Sequence, residues 1–167
     1  MFFCLVTASG LIACGEEKPE ALIKSAKSYI EKSDDRAAVI QLKSALQQNP
    51  RSAEARFLLG RTMLDIGDAV SAEIELRKAL DLRYPDAAVL PVLARALLLA
   101  GKHQKIVESY SSSVLAEPIA TADLKTSVAT AYAAQGDREK AEVAVNSALS
   151  TVPGYAPALL LSARLKA

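Results

Sequence analysis

The chain has 167 residues, 51% of them hydrophobic and 23% charged, which allows one sizeable core and gives no ground for two domains. Twenty basic side chains against 19 acidic ones leave a net charge of +1, so there is no electrostatic case for nucleic acid, which needs a clustered basic face to displace counterions. Alanine and leucine dominate, with three Phe, five Tyr and no Trp, a bias that favours helix over sheet.

In chain order, residues 1–13 (MFFCLVTASGLIA) carry no charge, and the character turns abruptly to GEEKPE after Cys14. A short apolar run ending in small residues is the pattern of a secretory signal, and it is too short to cross a bilayer as a helix. Both cysteines, Cys4 and Cys14, lie here, so neither a disulfide framework nor a metal cage holds the rest together. Leu11-Ile12-Ala13-Cys14 resembles the bacterial lipobox. That resemblance implies lipidation of Cys14 after cleavage, with residues 1–13 as a lipoprotein-type signal peptide and 14–18 as a lipidated linker. Gly15 is not aspartate, so the resemblance implies an outer-membrane lipoprotein on the periplasmic face of a bacterial envelope, touching the membrane only through its acyl chains. No basic residue precedes Lys18; either the true start lies upstream, or the segment is an apolar tail with an ordinary cysteine.

From residue 19 the sequence repeats every 33–35 residues, and the pattern predicts helices over 19–32, 35–48, 53–65, 69–82, 86–99, 103–116, 121–134, 138–151 and 156–166. Small residues recur in register: Ala26, Gly60, Ala94 and Ala129; Ala38, Ala72, Ile106 and Ala141; Ala45, Ala79, Ser113 and Ala148. Larger ones alternate with them: Tyr29, Met63, Leu97 and Tyr132; Leu42, Leu76, Tyr110 and Val145. Small side chains let two helices approach, and large ones fill the space between neighbouring hairpins. The pairs Ser33-Asp34, Gly67-Asp68, Gly101-Lys102 and Gly136-Asp137 end the first helix of each unit, and Pro50, Pro85, Pro118 and Pro153 separate the units. The third unit is the least regular: Ile106 and Ser113 replace expected alanines and 109–113 reads SYSSS, which predicts a looser second helix.

These columns resemble the tetratricopeptide-repeat (TPR) pattern. The resemblance implies an all-α, right-handed α-α superhelix over residues 19–167. Its units fall at about 19–52, 53–86, 87–120 and 121–155, with a partial fifth at 156–167. The last stretch, APALLLSARLKA, offers Leu159, Leu160 and Leu161 where a terminal helix would be polar. It reads as a surface for self-association or for further repeats, and the expectation is a piece of a longer array.

The first helices of such an array line a concave groove suited to a protein or peptide ligand. Lys27, Arg61 and Arg95 form one groove column with Thr130 in the fourth place, and Glu20, Glu54 and Asp123 form another that Ala88 breaks. Phe57, Leu64, Leu98 and Leu99 are candidate apolar contacts. The basic column either grips an acidic segment or chain-terminal carboxylate, or is occupied within its own helices through Lys27–Glu31 and Arg61–Asp65 at i,i+4. The groove lacks the asparagines of carboxylate-clamp TPRs, which argues against a cytosolic co-chaperone.

No catalytic residue, cofactor site or metal site stands out. His103 has no Cys or His partner, and no phosphate loop, dinucleotide fingerprint or HEXXH pattern occurs. Residues 38–80, AVIQLKSALQQNPRSAEARFLLGRTMLDIGDAVSAEIELRKAL, and 84–107, YPDAAVLPVLARALLLAGKHQKIV, resemble the start of the TPR-repeat lipoprotein of bacterial PEP-CTERM/exosortase systems. That resemblance implies a non-catalytic envelope scaffold linked to exopolysaccharide production and protein sorting. Other readings are an outer-membrane lipoprotein for pilus or barrel assembly and a regulatory subunit of an envelope polysaccharide synthase.

Overall fold

The computed structural model describes residues 18–167, and within them the chain is all helix, with no strand. The helices are α1 (Pro19–Glu31), α2 (Asp35–Gln48), α3 (Ala53–Asp65), α4 (Ala69–Asp81), α5 (Asp86–Leu99), α6 (His103–Tyr110), α7 (Pro118–Ala134), α8 (Arg138–Thr151) and α9 (Ala156–Lys166). The signal peptide expected over 1–13 and the lipidation expected at Cys14 lie outside the described residues.

Each boundary has a local cause. The turns after α1, α3, α5 and α7 place Ser33, Gly67, Gly101 and Gly136 at positive φ, between 58° and 87°. The next residue's N–H then reaches back to close the helix end, as Asp68 does to the Met63 carbonyl at 2.8 Å. Asp34, Asp68 and Asp137 then cap the second helices, each side chain accepting from the N–H three residues on.

The small-residue columns lie at the hairpin contacts: Ala26, Ala38, Ala45, Ala72, Ala79, Ala94, Ala129, Ala141 and Ala148 are fully buried. Leu42, Leu76, Leu93 and Leu97 fill the space around them. The hairpins α1–α2, α3–α4 and α7–α8 pack closely, each leans on the next first helix, and the core forms one cluster from α1 to α7 and a second over α7, α8 and α9. Such a stack gains stability from nearest neighbours rather than from any hairpin alone.

The third unit departs from the expected boundaries. Its second helix stops at Tyr110 instead of running to 116, and the following helix starts at Pro118 instead of 121. Lys102 stands where the other units have a capping aspartate and provides no cap. The serine run weakens the other end, because serine competes for backbone hydrogen bonds in non-helical conformations. Pro118 has its φ preset for a first helical turn, so α7 begins early. The Thr121 hydroxyl pins the intervening loop, accepting from the Leu115 N–H at 2.9 Å and donating to its carbonyl at 3.1 Å. As a result α6 barely touches α5, which packs against α7 instead.

Candidate peptide groove

Successive first helices touch one another (α3 with α5, α5 with α7, α7 with α9), whereas successive second helices have no comparable backbone approach. A stack that is tighter along one side curves toward it, so the first helices line the inner face.

On that face the two charged columns meet. Lys27 of α1 reaches Glu54 of α3 at 2.6 Å, and Arg95 of α5 approaches Asp123 of α7 at 3.9 Å. The bond to Glu54 raises the Lys27 pKa above its ordinary value. Each cation thus serves the acidic position of the next unit, and Lys27 does so rather than pair with Glu31 at i,i+4, one of the two alternatives read from the sequence. Lys27, Glu54 and Arg95 are about half exposed and Asp123 less so, so each pair contributes under about 1 kcal/mol; their effect is to occupy the charges. Asp123 also faces Tyr155, whose hydroxyl is pushed up to about 12, first by burial and then by that carboxylate.

The middle rung of this ladder is missing. Ala88 stands where Glu54 and Asp123 stand in their units, and Arg61 has no ion-pair partner among the described residues. It is exposed and borders a recess of about 250 Å³ with Lys27, Ile30, Glu31 and Leu58.

The other expected groove residues divide. Phe57 is only 8% exposed and stacks on Tyr84 at 4.7 Å between ring centroids, so it belongs to the core rather than to an open surface. Leu64 and Leu98 are half-buried against the same core, and Leu99 is open to solvent. Thr130 is half-buried and donates to the Thr126 carbonyl at 2.8 Å, a helix back-bond that uses its hydroxyl proton internally.

A second charged cluster was not foreseen from the sequence. Glu73 of α4, 6% exposed, accepts from Lys102 at 2.6 Å, Lys105 at 3.0 Å and Arg77 at 3.0 Å. Burial pushes its pKa up, but the three cations together hold it down at about 2. Lys102 and Lys105 flank the start of α6, so this carboxylate ties the weakest helix to the second unit.

Among the described residues no group of His, Cys, Asp and Glu is arranged to hold a metal, and no helix is long and apolar enough to cross a membrane. His103 is the first residue of α6.

Residues 31–96 match the family model of the tetratricopeptide repeat. Among solved structures, MamA superposes with a TM-score of 0.72 at 21% identity, over 88% of this chain and 80% of that one. Pseudomonas aeruginosa pilF gives 0.71 at 21% identity, over 88% and 67%. YrrB, described as a TPR protein with an unusual peptide-binding site, gives 0.52 at 17% identity, over 87% and 92%. At these identities the likeness is one of fold. No curated protein matches the chain.

Proposed function

We propose that this chain, a tetratricopeptide-repeat superhelix, is a non-catalytic scaffold that holds an acidic protein segment along its inner face. The observation that carries the reading is the missing rung: of the three basic groove residues, Lys27 and Arg95 face carboxylates of the next unit and Arg61 does not. A ligand carboxylate at Arg61 would complete the ladder that Ala88 interrupts, while the exposed Leu99 adds an apolar contact further along. The peptide-binding site ascribed to YrrB supports the class of ligand.

The setting we propose is the bacterial envelope, with Cys14 lipidated and the repeats displayed at the periplasmic face of the outer membrane. The lipobox-like Leu11–Cys14 and the likeness of 38–80 and 84–107 to the PEP-CTERM-system lipoprotein support it. A role beside exopolysaccharide production and protein sorting follows from the same likeness.

Anisotropy titration of a fluorescein-labelled glutamate-rich peptide tests the groove. Arg61→Glu is expected to weaken binding at least tenfold and Lys27→Gln much less, with affinity falling as salt rises. Equal binding by wild type and Arg61→Glu would remove the groove reading. Palmitate labelling tests the setting: wild type is expected to label and Cys14→Ala not, and an unlabelled wild type would remove the anchor.

A further inference from the structure

The early end of α6 exposes a position that another joint of the stack keeps filled. Where α2 meets the second unit, Leu46 lies 7% exposed in the groove with Leu59. There Arg56 spans to Glu75 at 2.6 Å. Shifting these positions along the repeat gives the joint between α6 and the fourth unit. Leu46 becomes Val114, Leu59 becomes Val128, Arg56 becomes Lys125 and Glu75 becomes Ala144. Val114 lies beyond the end of α6 and is 74% exposed instead of packed. Lys125 keeps the cation, but alanine has replaced its carboxylate, and among the described residues it has no ion-pair partner.

The vacated position is a cavity of about 310 Å³, with Val128, Tyr132, Val143 and Ala144 as its apolar lining and Lys125 on its edge. Val143 is 67% exposed beside it. Lys140, also at the rim, is already engaged: its ammonium contacts Asp137 at 2.6 Å and lies over the Tyr132 ring. Glu139 brings one negative charge to the rim, so the edge at Lys125 is where an incoming carboxylate is favoured.

We infer that this cavity, on the second-helix side of the stack, is a separate docking site for a partner segment that presents an aliphatic side chain next to a carboxylate. Such a segment restores both missing parts of the joint, the packing of Leu46 and the charge of Glu75. The site shares no residue with the first-helix groove, so one protein could hold two partners at once, or two segments of one partner.

The probe is a 12-residue amphipathic peptide with leucine and glutamate at i,i+4 spacing, titrated into the isotopically labelled full chain and followed by amide chemical shifts. Shifts are expected to cluster at Val128, Tyr132, Val143 and Ser147. Val143→Glu, a change at an exposed position that the fold tolerates, is expected to raise Kd at least tenfold, as is Lys125→Glu. Peptides with glutamate replaced by glutamine or leucine by serine are expected to lose the shifts, and Arg61→Glu to leave them intact. Absence of shifts at millimolar peptide, equal binding by Val143→Glu, or shifts centred on Arg61 would each overturn the site, the last while leaving the inner groove standing.

Discussion

Gly60 sits in a column where the other units carry alanine, so Gly60→Ala looks like a gain: removing glycine from a helix interior is worth about 1 kcal/mol. The packing predicts the opposite sign. A Cβ at Gly60 would lie 2.7 Å from Leu76 Cγ, 3.1 Å from its Cδ2 and 3.0 Å from its backbone nitrogen. Leu76 is fully buried, and its Cγ is a branch point that cannot swing clear as a side-chain tip would. The backbone contact means that a new rotamer alone does not relieve the clash, so α3 and α4 must separate. Overpacking of this kind costs about 1–3 kcal/mol, which offsets the helical gain and leaves a net loss of roughly 1 kcal/mol. The decisive assay is a double-mutant cycle read from urea midpoints by circular dichroism. Leu76→Ala alone should cost about 2–5 kcal/mol. Leu76→Ala removes the Cγ and Cδ2 contacts and leaves only the 3.0 Å one to the backbone nitrogen. In that background Gly60→Ala should therefore cost less than in wild type, a coupling of about 1 kcal/mol or more between the sites. A higher midpoint for Gly60→Ala in the wild-type background, or additive effects in the cycle, would refute the close-approach argument.

Acid should loosen the joint between the second and third units. Glu73 titrates at about 2 in the fold and near 4.3 when unfolded. The stability it contributes is therefore complete above that unfolded value and is lost as pH falls toward 2. Glu73→Gln should lower the urea midpoint at pH 7 and converge on wild type only as pH falls to about 2, and parallel pH curves would contradict this. Ser33, at φ 58° without being glycine, should gain about 1 kcal/mol as Ser33→Gly, read as a raised melting temperature. Thr121→Val should free the loop that α6 leaves behind, at a cost of about 1–2 kcal/mol, with faster amide exchange at Leu115. No change in that amide would mean that the threonine does not hold the loop.

The inner face was legible in part. Both charged columns can be read from the repeat, and so can the gap at Ala88, but their meeting depends on how far one hairpin is offset from the next. Pairing position 27 with 54 and 95 with 123 was available in the spacing; i,i+4 reasoning within one helix conceals it, because it considers only neighbours along a single helix. Phe57 occupies a groove position by register, and the Tyr84 ring that covers it comes from the loop after α4, outside the repeat's helical pattern. In the Glu73 cluster only Arg77, at i,i+4, was legible; the lysines carried no sequence signal, since they lie 29 and 32 residues away and their side chains converge only across the joint.

The sequence by itself determined the helices seen among the described residues, their turns and their order, because periodicity, glycine turns and capping aspartates act within a few residues of one another. It also marked the third unit as irregular through its serine run. Only the tertiary structure decided how far α6 retreats, which cation is left without a carboxylate, and where the packing leaves a cavity. Those outcomes depend on the distance between hairpins, which is set by the summed contacts of many side chains rather than by any local preference.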